Sequence, residues 1–400
     1  MLLDYLSYIS FFGLLIILII YGYIKYKYGF WVIQPVFHIY DVSYYLNAPG
    51  IINHQLPEKN KYTNFINIET NLYDNVTSLQ MQQFINIIKL NYLRNKDNAF
   101  TPKQNNIVSY FKGHNNKSFI TFYREDNHMM DLKTNTTIKD KKIIGVISSR
   151  PINIKINNVN KNANFNAYYV DYLCVDCMHR KKGIAPQLIQ THHYNQRHLN
   201  KNIVVSLFKR EDELTGIVPL CVYSNYGFSV NNWTKPNDLS SEYKLLEINP
   251  QNIHFLMDFI KNNNDKFDII IMTDLGNIIE LIKTKNIFIY VIMVDNEIIC
   301  AYFFRKSCTQ IEKNIEVLNC FASINNGVND IFIQGFKISF WKIAYENYFG
   351  FSSIENVSHN NIIINNIMNK TSPIIISPTA YFFYNFAYTT FQPGKVLIIN

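Results

Sequence analysis

Between Tyr168 and Ile189 the chain reads YYVDYLCVDCMHRKKGIAPQLI, and this run restricts how everything around it can fold. Tyr168 to Val175 is rich in aromatic and β-branched residues without a helical period, the pattern of a buried strand. Arg180-Lys181-Lys182-Gly183-Ile184-Ala185 follows as a basic turn. Gly183 permits a tight backbone turn, and the small Ala185 permits close approach. Pro186 suits the first turn of a helix, where its missing N–H costs nothing. That helix carries Leu188 and Ile189 inward. A strand, a basic turn and a helix start in this order aim free backbone N–H groups at one point under positive charge, which makes a cradle for phosphate. It is neither a P-loop nor a dinucleotide fingerprint, since Gly-Lys-Ser/Thr and G-x-G-x-x-G are both missing. The same residues also suit a plain basic surface turn, so other segments must decide.

Four hundred residues suffice for two or three domains, each with its own core. Hydrophobic residues at 48% against 17% charged describe a globular chain, not a disordered one. The net charge of +8 comes from dispersed lysines and arginines. No basic stripe faces aromatics, so no nucleic-acid groove is expected. The excess suits an acidic ligand or an anionic membrane surface. Of six cysteines, Cys174 and Cys177 form a C-x-x-C near His179, His192 and His193. Cys221, Cys300, Cys308 and Cys320 are isolated, so no metal site is expected. Such placement fits a reduced, cytosolic protein.

Tyr5 to Ile24 carries no charge over a length that spans a bilayer core. It lacks a basic leader and a cleavage site. Only Asp4 precedes it, while Lys25 and Lys27 follow. Residues 1–27 therefore read as a single-pass membrane anchor with the bulk of the chain facing the cytoplasm. The other reading is a buried helix of the folded domain.

The strand, turn and helix resemble the pyrophosphate loop of the GNAT acyltransferases, which bind coenzyme A this way. Leu173-Cys174-Val175, the basic turn and Ile184-Ala185-Pro186-Gln187-Leu188-Ile189 resemble more specifically the matching segment of the N-myristoyltransferase family. A second, distant stretch agrees. Tyr28 to Val36 reads as an aromatic arm, extended before Pro35. Its Phe30, Trp31, Gln34, Pro35 and Val36 resemble the Phe-Trp-x-x-Gln-Pro-Val arm that the family packs against the adenine and pantetheine of acyl-CoA.

Leu79 to Tyr92 has Met81, Phe84, Ile85, Ile88 and Leu90 at helical spacing, an amphipathic core helix. Asn91 to Phe100 then resembles the family's peptide-binding loop. Tyr92, Asp97 and Phe100 match, but Arg94, Asn95 and Lys96 stand where that loop is acidic. Strands are expected at Lys117–Tyr123, at Ile143–Ile147, again after Arg150-Pro151, and at Ile203–Phe208, with Lys209–Gly216 as a charged loop. Cys221 and Tyr223 resemble a Cys-x-Tyr of the family's substrate pocket, and Asn225 falls near a family histidine.

Polar residues 231–242 mark a boundary, after which the plan repeats. A helix is expected near Asn252–Lys261. A strand pair, Ile287–Val294 and Glu297–Arg305, is joined by Asp295-Asn296. A long helix runs near Ile331–Asn347. The second copy has no basic glycine turn. Glu355 lies in a region loosely similar to a family pocket segment. An apolar strand, Val396 to Ile399, reaches the last residue, where chains normally fray.

The resemblance covers about residues 28 to 400. It implies an α+β fold of two tandem GNAT-like domains, each a mixed, mostly antiparallel sheet flanked by helices, behind an N-terminal transmembrane helix. Residues 1–27 would be the anchor, 28–230 the acyl-CoA domain, and 231–400 the peptide domain carrying the terminal carboxylate. It implies transfer of a myristoyl group from myristoyl-CoA, a co-substrate and not a resident cofactor, to the N-terminal glycine amine of a peptide or protein, by a monomer. No Cys-His or Ser-His-Asp set stands out, which favours direct attack.

By the same resemblance the backbone N–H groups of Tyr172 and Leu173 form the oxyanion hole. Phe30, Trp31, Gln34 and Arg180, Lys181, Lys182, Gly183, Ile184 and Ala185 hold the acyl-CoA. Tyr92, Asp97, Phe100, Cys221, Tyr223 and Glu355 line the acceptor site. The α-carboxylate of Asn400 takes the proton. A free α-carboxyl titrates near ~3.5, too acidic for an ideal base, and burial beside Val396–Ile399 should raise it. Two readings stay open beside this one: a GNAT enzyme using a shorter acyl-CoA, and a catalytically silent homologue that binds acyl-CoA or peptide.

Overall fold

The computed structural model describes residues 2–27, 29–93, 98–131, 136–157, 163–211, 216–231, 233–311 and 315–400. Strands rich in Ile, Phe and Tyr bury nearly their whole length, as Ile287–Val294 does, because helices and long connections cover both faces of the sheet. Among the described residues fifteen strands form one continuous sheet, where two separate sheets were expected.

Two runs of chain follow one plan. In the first, Phe119–Asp131, Thr136–Ile156 and Ala163–Val175 form an antiparallel meander. Helix Ile184–Leu199 then crosses over to Val205–Glu211, parallel to the third strand. In the second, Ile287–Val294, Glu297–Ile311 and Ile315–Asn325 form the meander. Helix Asn329–Asn347 crosses to the parallel strand Phe349–Glu355. Parallel neighbours cannot be joined by a tight turn, so each copy needs its helix. Asp295 and Asn296, at φ 48° and 66°, make the two-residue hairpin turn that their side chains favour.

Each copy then gives its last strand to the other. Cys221–Ser229 pairs with Phe349–Glu355, and Ile375–Tyr384 pairs with Val205–Glu211. The two exchanged strands pair at the centre, with Tyr223 opposite Thr379. An approximate two-fold axis passes through that pair.

Several expected elements differ in extent. The two strands around Arg150-Pro151 are one strand, Thr136–Ile156. Val205–Glu211 runs through Lys209, which was expected in a loop, and residues 212–215 of that loop lie outside the described residues. Helix Ser78–Asn91 buries Met81, Phe84, Ile85, Ile87 and Ile88, while Leu90 is 80% exposed. Leu90 lies on the opposite face because the buried positions follow i, i+3, i+4 and i+7 from Met81 and Phe84. A capping box closes its start: Thr77 Oγ1 accepts from Gln80 N–H and Gln80 Oε1 from Thr77 N–H, at 3.2 and 3.0 Å.

Helix Leu2–Lys27 stands away from the core with no part of its apolar window buried. The reading of a buried helix therefore falls. By length and composition Tyr5–Lys27 can cross a membrane. At the other end, Val396–Ile399 is fully buried and parallel to Ile269–Met272, and Asn400 is 2% exposed.

Candidate functional site

Strands Ala163–Val175 and Val205–Glu211 pair from Ala167 and Val205 as far as Val170 and Phe208, and then diverge. On its other side the first of these strands bulges. Val146 faces Cys174, yet Ser148 already faces Asp171. The bulge falls at Tyr172 and Leu173, where φ of Tyr172 is +51°. A bulky residue in this left-handed region costs of order 1–3 kcal/mol, and such strain persists where the surroundings enforce it. The Tyr172 N–H donates to Asp171 Oδ1 at 2.8 Å. Asp171 Oδ2 accepts from Arg150 Nη1 at 3.2 Å, and the Tyr92 hydroxyl reaches Oδ1 at 3.4 Å. The Arg150 guanidinium lies over the rings of Tyr110 and Tyr169, at 4.9 and 4.7 Å, and its Nε has no partner.

Beyond the bulge comes the basic turn. Lys181 and Gly183 have φ of +64° and +75°. A Cβ on Gly183 would meet nothing within 4 Å, so glycine is needed for its backbone angle and not for room. Helix Ile184–Leu199 starts there without a side-chain cap, which leaves its first N–H groups facing outward. Lys181 and Lys182 are exposed beside them. Arg180 instead turns inward and donates to the carbonyls of Val175 and Asn91, at 3.3 and 2.5 Å. Asn91 also accepts the Cys177 N–H on Oδ1 at 3.0 Å. Arg180 thus braces the turn, and the two lysines supply its outward charge. Ile184 and Leu188 are buried, with Leu188 close against Gly145.

The arm reaches the same strands. Phe30 packs edge-on against Trp31 and Tyr62, and Trp31 stacks on Phe208 with centroids 5.5 Å apart and planes 9° off parallel. Phe208 is the last paired residue before the strands part. Gln34 is buried, and its Oε1 accepts from the Tyr384 hydroxyl at 2.6 Å. Tyr92 and Phe100 also arrive here, with Tyr92 5.2 Å from Phe100 and 5.9 Å from Tyr172 between ring centroids. Asp97 lies outside the described residues.

Of the other residues expected to line the acceptor site, Tyr223 and Glu355 meet at a buried carboxylate. Glu355 Oε1 accepts from Lys209 Nζ, Arg305 Nη2 and Asn319 Nδ2 at 3.2, 2.5 and 3.1 Å. Its Oε2 accepts from the Tyr223 hydroxyl at 2.5 Å. Burial alone would raise the Glu355 pKa, but the two cations and these hydrogen bonds hold it at about 2. Cys221 lies in the apolar layer behind Tyr223, where burial pushes its thiol up to about 12. It is a packing residue rather than a nucleophile. Asn400 continues the register in which Ile399 faces Met272 and Met272 faces Asn153. The terminus therefore advances toward the level of Pro151 and Arg150. Neither polar atom of the Asn400 side chain has a partner. Among the described residues no group of His, Cys, Asp and Glu can hold a metal ion.

Sequence reasoning missed Arg150, Asp171, Lys209, Arg305 and Asn319. The axis relates most of them. Arg150 faces Tyr169, one residue before the last parallel pair of the first copy, and Arg305 faces Asn319, one residue before that of the second. Lys209 and Glu355 each follow that pair on the parallel strand. A charged residue amid an apolar strand, as in Ala301-Tyr302-Phe303-Phe304-Arg305, was the available signal.

Residues 55–221 match the family model described as Myristoyl-CoA:protein N-myristoyltransferase, N-terminal domain. Over these residues, fewer than half of the chain, the sequence is similar to the N-terminal domain of the N-myristoyltransferase family. The match takes in the bulge and the basic turn, and it ends before Tyr223. An N-myristoyltransferase fold extends well beyond it. Saccharomyces cerevisiae N-myristoyltransferase with bound myristoyl-CoA superposes with a TM-score of 0.69 at 14% identity, over 92% of this chain and 94% of that one. A second structure of the yeast enzyme with bound myristoyl-CoA gives 0.69 at 15% identity, over 92% and 90%. A third, with myristoyl-CoA and inhibitors, gives 0.66 at 14%, over 92% and 91%. At these identities the likeness establishes the fold. No sequence among curated proteins matches this one.

Proposed function

We propose that the chain transfers a myristoyl group from myristoyl-CoA to the N-terminal glycine amine of a protein. One observation carries the reading most: the bulge at Tyr172, the uncapped basic helix start at Gly183 and the stacked Trp31 meet where two parallel strands part, within a chain of N-myristoyltransferase fold. The parted strands leave room for a thioester. The outward N–H groups from Gly183 to Ala185, with Lys181 and Lys182, hold the pyrophosphate. Arg180 keeps that turn in shape. Phe30, Trp31 and Gln34 pack along the rest of the coenzyme.

The N–H groups of Tyr172 and Leu173 stabilise the oxyanion, each such donor being worth about 3 kcal/mol in the transition state. Tyr92, Phe100, Tyr223 and Glu355, with Cys221 behind, shape the acceptor groove. The Asn400 α-carboxylate takes a proton from the glycine ammonium. Two tandem GNAT copies form the fold, the first (28–230) serving acyl-CoA and the second (231–400) the peptide, with exchanged strands joining them. Residues 1–27 anchor the enzyme in a membrane by one pass, with the catalytic part on the cytoplasmic side.

The test pairs titration with acyl-CoAs of increasing chain length with mass analysis of a peptide that begins with glycine. The expected result is tightest binding near fourteen carbons and a mass gain of one myristoyl group. A C-terminal tag, which turns the Asn400 carboxylate into a neutral amide, should lower turnover by orders of magnitude and leave acyl-CoA binding intact. Binding without any turnover in the untagged protein would favour a silent acyl-CoA-binding homologue. Preference for a short acyl chain would favour a different GNAT activity.

A further inference from the structure

We propose that the Asp171 carboxylate is a second proton acceptor in this reaction, an inference that rests on the acyl-transfer reading above. A glycine amine arrives as an ammonium with three hydrogens, and the amide nitrogen keeps one. Two protons must therefore leave it. The Asn400 carboxylate takes the first and frees the lone pair. The second leaves as the C–N bond forms.

Asp171 is placed for that second proton. Its Oδ1 accepts the Tyr172 N–H at 2.8 Å, the same N–H that stabilises the thioester oxygen as it becomes an anion. A carboxylate and an oxyanion on one donor repel strongly where water is scarce. Transfer of the amine proton to Asp171 removes the repulsion as the oxyanion develops and leaves the N–H to it. When the C–S bond breaks, Asp171 passes this proton to the coenzyme A thiolate. The products are the amide, the thiol and one proton released through Asn400.

The surroundings fit a held, charged carboxylate. Arg150 from the neighbouring strand binds Oδ2 at 3.2 Å, Tyr92 at the end of its helix reaches Oδ1, and Tyr110, Tyr169 and Tyr172 lie around it. The internal repeat gives an independent argument. Asp171 directly follows the last parallel pair of the first copy, and the residue that follows Cys320 in the second is Phe321. That copy bulges one residue earlier, at Phe321 itself and without a positive φ, and Arg305 lies over the Phe321 ring at 4.7 Å. The fold accepts an apolar residue there. The carboxylate belongs only to the copy with the twisted Tyr172 and the basic turn.

Asp171→Asn keeps an acceptor for the Tyr172 N–H and removes the basicity. With myristoyl-CoA and a peptide that begins with glycine, kcat should fall by about 10²- to 10⁴-fold, while the dissociation constant for myristoyl-CoA and the peptide KM stay near those of the wild type. Formate should restore part of the turnover of Asp171→Ala, and chloride should not. Should loss of the carboxylate unfold the protein by stranding Arg150, the double variant D171N/R150M removes the stranded cation and should show the same drop in kcat. If the wild type is active and D171N turns over as fast, or formate fails to accelerate D171A, Asp171 is no proton acceptor and the acyl-transfer reading stands. A wild type that moves no acyl group to the peptide overturns both.

Discussion

Glu355→Gln tests whether the charges at the two-fold axis act as a unit. In the wild type one buried carboxylate faces Lys209 and Arg305 at 3.2 and 2.5 Å. Its pKa of about 2, against an ordinary value near 4.3, means that the folded protein stabilises the charged form by about 3 kcal/mol. The glutamine keeps the shape and the bonds from Asn319 and Tyr223, yet leaves Arg305 without its anion and Lys209 with only the exposed Glu211, at 4.0 Å. Breaking a buried pair in this way costs about 3–5 kcal/mol. Urea unfolding near pH 7 should show that loss. A depressed carboxyl contributes fully above its unfolded pKa and loses the contribution as pH falls through the folded one. The gap between wild type and variant should therefore hold from pH 7 to about 4.3 and close toward pH 2. Replacing all three charges together, as K209M/R305M/E355L, should recover most of the stability, because well-packed apolar residues match or exceed a buried ion network. A loss under about 1 kcal/mol for E355Q, or a triple variant no better than the single, would refute the argument.

Gly183→Val should cost about 1–2 kcal/mol of stability from the positive φ alone, but weaken acyl-CoA binding at least tenfold, as read by titration. Deleting residues 1–27 should move the protein from the membrane to the soluble fraction in a flotation assay with little change in turnover, whereas extending the cut through Gln34 should damage acyl-CoA binding. His192 is buried between Thr121 Oγ1 and Ser149 Oγ, at 2.7 and 2.9 Å, and burial holds its pKa at about 3. The unfolded chain therefore takes up the proton first, and stability should fall by about 2 kcal/mol between pH 6.5 and 5, a drop that His192→Gln should shrink in thermal melts.

Segments whose local chemistry is strong were legible. The turn at Gly183 needs a positive φ, the Asp295-Asn296 hairpin needs two, and the amphipathic helix before Asn91 has one apolar face. These constraints act within a few residues, so a single sequence shows them. The charged residues of the site were not legible, because each makes sense only beside a partner far along the chain. Arg150 meets Asp171 across a ladder, and Lys209 meets Glu355 from the other copy. Lys209 even argued for a loop, since a lysine inside a strand is costly until its counter-ion is known. Register decides such cases, and register follows from the exchange of strands between copies, which no local pattern encodes.

On the proposed reading, the duplication also explains why one copy alone would suit acyl-CoA. Both copies part their parallel strands after the same pair and bulge within a residue of the same place, so the opening itself is a property of the repeat. What differs is the connection to the crossover helix. In the first copy residues 176–183 intervene, with three consecutive basic residues and two positive-φ positions before the helix. In the second, residues 326–328 (Asn-Gly-Val) join strand to helix with no basic side chain. A helix start so close to its strand, without positive charge, has neither the reach nor the field to hold a pyrophosphate. Beside its parted strands Arg305 lies over the Phe321 ring at 4.7 Å. The exchanged strands then bring Glu355 from this second opening against Lys209 of the first. The copy that lacks the basic turn thus supplies the carboxylate that fixes a cation next to the parted strands of the copy that has it.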